Sequence, residues 1–131
     1  MMNNPVIYVF LNKDLHMTTG KASAQVAHAV VLSMIESAAF DGPAWKEAAH
    51  RKIVVLEARD GDHLQNIDYY LKERKFETSL VIDEGANEID GYVETAMATR
   101  ILDLDDERVR KVFDTFKSYR DLVNITTTFE R

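Results

Sequence analysis

Pro5-Val6-Ile7-Tyr8-Val9-Phe10-Leu11 is the stretch on which the fold turns. It is β-branched and aromatic with almost no polar break, whereas a strand covered on one face only would alternate apolar with polar residues. Such a run belongs to a strand buried on both faces, at the centre of a sheet with helices on either side. Lys52-Ile53-Val54-Val55-Leu56-Glu57 repeats the pattern, and Thr78-Ser79-Leu80-Val81-Ile82 supplies a third strand. Glu94 to Leu102 alternates as a fourth, which puts Ala96, Ala98 and Arg100 on one face.

Helical patterns fill the intervals. Thr18 or Thr19 caps a helix predicted to run through Ser37, and because it is almost apolar all round from Ala22 to Leu32, it is expected to be packed on both sides. Phe40-Asp41-Gly42-Pro43 breaks it, and a short helix behind Asp41 and Pro43 carries Trp45 and ends near His50. Asp60 caps a helix with Leu64, Ile67, Asp68 and Leu71 at helical spacing and Lys72 to Lys75 as its wet end. Asp103, Asp105, Asp106 and Glu107 open another, containing Val109, Val112, Phe113 and Phe116, where the helix dipole favours carboxylates. The apolar, β-branched tail Leu122 to Phe129 is a terminal strand or an arm for a partner.

This alternation predicts an α/β fold: a single three-layer α/β/α domain over residues 1–131, built on a small mixed, mostly parallel four-stranded sheet. Sites in such sheets collect at the carboxyl ends of strands. Here those are the loop after Leu11, the start of the first helix and the turn at Asp83.

Composition narrows the function classes. The absence of cysteine removes disulfide scaffolds, zinc ribbons, iron–sulfur sites and thiol nucleophiles together. Met1 to Pro5 has no basic leader, and Val6 to Leu11 is far shorter than the roughly 20 residues that span a bilayer. A cytoplasmic protein without membrane contact is expected. Sixteen Lys and Arg against twenty-two Asp and Glu give a charge of -6, the wrong sign for a protein held mainly by nucleic-acid backbone. The distribution is uneven: Lys13 and Lys21 face only Asp14 in the first 35 residues, whereas Asp and Glu dominate residues 83–107. A polyanion is expected to meet the first segment.

On the first helix a polar line runs through Lys21, Gln25 and His28, whose spacings put the three side chains on one face. An ordinary wet face is the plain alternative. Yet the line is narrow, and Lys21 lies in the first turn, where a cation opposes the helix dipole by about 0.3–1 kcal/mol. Breaks of this kind often mark anion sites. The phosphate-loop pattern fails twice around Gly20-Lys21, at Leu15 and at Ala22. His16, His28, His50 and His63 lack metal-ligand spacing, the acidic cluster at Asp103 to Glu107 reads as helix capping, and no metal or other cofactor is expected. Asp83, at a strand's carboxyl end, is a turn residue or a buried base or orienting carboxylate.

Taken together, Met17-Thr18-Thr19-Gly20-Lys21-Ala22-Ser23-Ala24-Gln25-Val26-Ala27-His28-Ala29 resembles the signature of the type II peptidyl-tRNA hydrolases, the archaeal and eukaryotic type. The resemblance continues through Trp45, Lys52 to Leu56, and Val81-Ile82-Asp83-Glu84-Gly85-Ala86-Asn87-Glu88-Ile89, covering about residues 6–100 and leaving 103–131 as a divergent helix and tail. It implies a mixed four-stranded sheet with helices on both sides and metal-free hydrolysis of the ester between a peptide and the tRNA 3′ end. It also implies catalytic positions at Lys21, His28 and Asp83, and substrate-binding positions at Gly20, Gln25, Gly85, Asn87 and Glu88. Peptidyl-tRNA is the implied partner, and homodimers occur among such proteins.

The turn of that family usually reads Asp-Ala-Gly-x-Thr-Gln, whereas Asn87 and Glu88 occupy the last two positions here. A carboxylate thus replaces a neutral amide beside the site, which repels an RNA end unless Glu88 turns away or pairs with Arg100. The alternatives are a non-catalytic family member that binds a ligand or macromolecule in the same cleft, and a different hydrolase on this scaffold.

Overall fold

The computed structural model describes residues 2–38, 42–84, 92–119 and 127–130. Among them the strands are β1 (Pro5–Asn12), β2 (His50–Ala58), β3 (Thr78–Glu84), β4 (Tyr92–Thr99), β5 (Leu102–Asp103) and β6 (Thr127–Glu130). The helices are α1 (Thr19–Glu36), α2 (Gly42–Glu47), α3 (Gly61–Glu73) and α4 (Glu107–Phe113), and a 3₁₀ turn covers Lys13–Leu15. The sheet runs β3-β4-β1-β2-β6, with β5 also paired to β1.

β1 is the central strand expected from its composition, and all of its residues are buried. Alternation sends Val6, Tyr8 and Phe10 to one face and Ile7, Val9 and Leu11 to the other. The first set packs with Leu64, Ile67 and Leu71 of α3 and Val109, Val112 and Phe113 of α4. The second packs with Ala22 and Ala29 of α1 and with Trp45 of α2. Three layers result, with an apolar core on each side of the sheet.

The pairing differs from the mostly parallel arrangement expected. β1 and β2 are parallel, whereas β3·β4, β1·β4, β1·β5 and β2·β6 are antiparallel. The reason lies in the connections: a parallel neighbour needs a crossover, such as α1 provides between β1 and β2. β3 ends at Glu84 and β4 begins at Tyr92, too short a link to cross the sheet, so the chain turns straight back. The tail forms β6 on the outer edge of β2, through Arg51↔Phe129 and Lys52↔Thr128.

α1 is the second departure. It is packed on one side only, with Val31 51%, Met34 38% and Ile35 75% exposed. Its capping follows expectation, since the Thr18 side chain accepts the Lys21 N–H at 3.3 Å. Asp60 caps α3 by accepting the His63 N–H at 2.8 Å, and Asp106 caps α4 by accepting the Arg108 N–H at 2.9 Å. The capping role of the acidic cluster is thereby visible at Asp106.

The two ends of the chain meet in the core. Tyr8 of β1 stacks on Phe113 of α4, with ring centres 4.1 Å apart and planes 6° apart. Burial, reinforced by the charge of Asp114, pushes the Tyr8 phenol up to about 12. No helix among the described residues is long and apolar enough to cross a membrane.

Candidate active site

Beyond the carboxyl end of β1 the chain enters the 3₁₀ turn and then α1, and the beginning of α1 faces the β3·β4 hairpin. A cavity of about 390 Å³ opens there, within the size range of small-ligand sites. Its polar lining is His16, Thr18, Lys21, Gln25, Asp83 and Thr95, and Leu15, Met17, Ala24 and Val93 form its apolar walls. Three of the residues singled out in the sequence, Lys21, Gln25 and Asp83, therefore meet in one space although they come from different layers.

A β-bulge shapes the hairpin side. Pairing runs Val81↔Ala96 and then Ile82↔Glu94, so β4 carries an extra residue, Thr95, at this point. Strict alternation would turn Thr95 away from Ala96, toward α3. The bulge turns both toward α1, where the Thr95 hydroxyl donates to Gln25 Oε1 at 2.7 Å. Thr95 is 3% exposed, and the bond orients the Gln25 amide so that its NH₂ end points away from Thr95. Asp83 lies on the neighbouring strand, β3, paired with Val93 of β4.

Lys21 is exposed at the first turn of α1, which contains no acidic residue. Its ammonium and the free N–H groups at the helix start give that wall of the cavity a positive field. Lys21 and Asp83 face the same space without forming an ion pair. A cation and a carboxylate held apart across a cavity can act on opposite parts of a polar ligand. Gly20, just before Lys21, has nothing within 4 Å of where a Cβ would stand, so packing does not demand its small size.

His28 continues the α1 stripe but is exposed and does not line the cavity. Gly85, Asn87 and Glu88 lie outside the described residues. Lys13 is at this end of the sheet, 3.8 Å from Glu57, whereas Arg51 and Lys52 are at the start of β2. At about 3.3 Å per residue, the span from Lys52 to Glu57 separates them by roughly 17 Å, so these cations do not form one continuous surface. Arg51 is turned to the α2 carbonyls of Trp45 and Lys46. Arg100 reaches Ser33 and Ser79 at 3.2 and 2.6 Å, on the α1 face as its alternation predicted. Among the described residues, no group of three His, Asp or Glu side chains could hold a metal ion.

Two polar residues of the cavity, Thr95 and His16, are not among the site residues that the sequence points to. Thr95 was hidden by the bulge, since alternation alone assigns it to the other face. His16 has no metal-ligand spacing to mark it, yet it closes the 3₁₀ turn with φ 48° and ψ 44°. Its signal was position, directly after the central strand where a site was expected.

Fold and cavity together give an α/β protein with a cation, a carboxylate and an oriented amide around one space at the strand ends. The chain belongs to the family of peptidyl-tRNA hydrolase PTH2, which it matches over residues 6–119. It is similar to a peptidyl-tRNA hydrolase of Pyrobaculum aerophilum, 30% identical over 118 residues that cover 86% of this chain and 95% of that protein. The family match reaches past α4, beyond the segment in which the resemblance was first legible.

Proposed function

We propose that the protein hydrolyses the ester joining a peptide to the 3′ end of tRNA, and does so without a metal ion. The convergence of Lys21, Gln25 and Asp83 on one cavity carries this reading. A water molecule attacks the ester carbonyl carbon, oriented by the Gln25 amide and deprotonated by the Asp83 carboxylate. Charge develops on the carbonyl oxygen, and the Lys21 ammonium with the N–H groups at the α1 start faces it. The open side at Gly20 lets the substrate backbone approach the helix end. His28, exposed farther along the same stripe, bears on the substrate from outside the cavity, and Gly85, Asn87 and Glu88 are the further substrate-binding positions that the family resemblance implies. An ester is already activated toward water, so positioning and electrostatics suffice.

Release of labelled peptide from peptidyl-tRNA, with a chelator present throughout, tests the proposal. Turnover that persists with chelator and collapses in Lys21→Ala supports it. Folded protein without turnover, or turnover that the chelator abolishes, refutes it or its metal-free mechanism respectively.

A further inference from the structure

Hydrolysis by Lys21, Gln25 and Asp83 leaves one proton without a source. When the bond from the carbonyl carbon to the ribose oxygen breaks, that oxygen takes the electron pair and departs as a strongly basic alkoxide. A donor placed at that oxygen removes much of the barrier. Lys21 is engaged with the other oxygen of the tetrahedral centre, Asp83 has become the acceptor of the water proton, and Gln25 and Thr95 do not titrate. Among the described residues, the remaining titratable side chain that lines the cavity is His16.

His16 is held in place by construction. Its left-handed backbone, φ 48°, is uncommon for a residue with a side chain and is accepted more readily by His, Asn and Asp than by most. The His16 N–H donates to the Lys13 carbonyl at 3.2 Å. The turn is tied to the sheet by Asn12, 2% exposed, whose amide donates to the Glu94 carbonyl at 2.9 Å while its oxygen accepts the Asp14 N–H at 3.0 Å. The imidazole thus rides on an anchored turn. It is exposed and makes no side-chain hydrogen bond among the described residues, so it is open both to a substrate and to proton exchange with water. Among the described residues, the charged groups around it are Lys21 and Asp83 across the cavity, and Lys13 and Asp14 in its own turn, with Lys13 drawn toward Glu57.

We propose that His16 donates the proton to the departing ribose oxygen, an inference that rests on the hydrolysis reading above. Water oxygen bonds to the carbonyl carbon as one water proton passes to Asp83, and collapse of the intermediate breaks the carbon–ribose oxygen bond while the imidazolium proton passes to that oxygen. The products are the peptide acid and the tRNA hydroxyl. Asp83 returns its proton to solvent, and His16 regains one from it.

The test measures peptide release from peptidyl-tRNA by the wild type, His16→Gly, His16→Asn and Lys21→Ala, with and without added imidazole. Glycine and asparagine both tolerate positive φ, so neither replacement opposes the turn. Expected are a fall in kcat of roughly 10²-fold or more in both His16 variants with little change in KM, and recovery of His16→Gly alone by imidazole of about tenfold or more. A His16→Gly protein as fast as wild type overturns the inference, and so does a loss that imidazole fails to restore. An inactive wild type overturns the hydrolysis reading and this inference together. An active wild type matched by His16→Gly overturns this inference alone.

Discussion

The hydroxyl of Thr95 donates to the side-chain oxygen of Gln25 at 2.7 Å, joining β4 to α1 across the floor of the cavity. The bond exists because the bulge at Val81 and Ile82 turns Thr95 out of alternation. Thr95→Val keeps the shape and removes the donor, so the Gln25 amide loses its fixed orientation. At about 0.5–1.5 kcal/mol for such a bond, and 1.36 kcal/mol per factor of ten, peptide release should slow by up to about tenfold. An unchanged kcat/KM in the valine variant would show that Gln25 needs no such partner.

Lys21 should cost the fold what it contributes to activity. It opposes the α1 dipole with no acidic residue in the first turn to offset it. Lys21→Met is expected to raise stability by about 0.3–1 kcal/mol, measured by urea denaturation, while slowing turnover by roughly 10²–10³-fold. A variant both less stable and still active would contradict both halves of the assignment.

Gly20 separates packing from substrate approach. Since an added Cβ meets no atom within 4 Å, Gly20→Ala should fold as well as the parent or be more stable by up to about 1 kcal/mol. The methyl group nevertheless intrudes where the substrate passes the helix end, and KM should rise. Thermal melts and steady-state kinetics on one preparation give both answers.

His63 makes stability depend on pH. Burial first, and then the positive charge of Arg59, lower its pKa from the ordinary 6.5, against an opposing pull from Asp60. Its Nδ1 accepts the Arg59 N–H at 2.9 Å, a bond that only the unprotonated nitrogen can make. The unfolded chain therefore takes up the proton first as pH falls. This contribution to stability is complete above the ordinary value and is lost as pH drops through the lower folded value. Denaturation midpoints measured from about pH 7.5 down to about pH 5.5 should decline less in His63→Gln than in the parent. Parallel declines would assign the slope to other groups.

What the sequence made legible was local. β1 declared itself through an unbroken apolar run, and the Thr18, Asp60 and Asp106 caps fall where residue type and helical pattern meet. Lys21, Gln25 and Asp83, which the structure brings to one cavity, stand out in the sequence because helix spacing and a strand end are also local features. Strand direction is not legible in this way, because it depends on what each connection can span, and the short link from Glu84 to Tyr92 forces an antiparallel pair only once both strand ends are known. Thr95 was missed because one inserted residue inverts the facing of everything beside it. The exposed side of α1 was misjudged because apolar residues such as Ile35 mark where water is excluded only when a neighbour is there to exclude it.

The stacking of Tyr8 on Phe113 has a consequence for the order of events during synthesis. β1 emerges first, yet one of its flanks waits for Ala96 to Ala98 of β4 and one of its faces waits for α4. A chain growing on the ribosome therefore carries its most apolar strand only partly covered until α4 (Glu107–Phe113) has been made. Until α4 has been made, the growing chain is itself a peptide esterified to tRNA, joined by the kind of bond that its own cavity is proposed to cut.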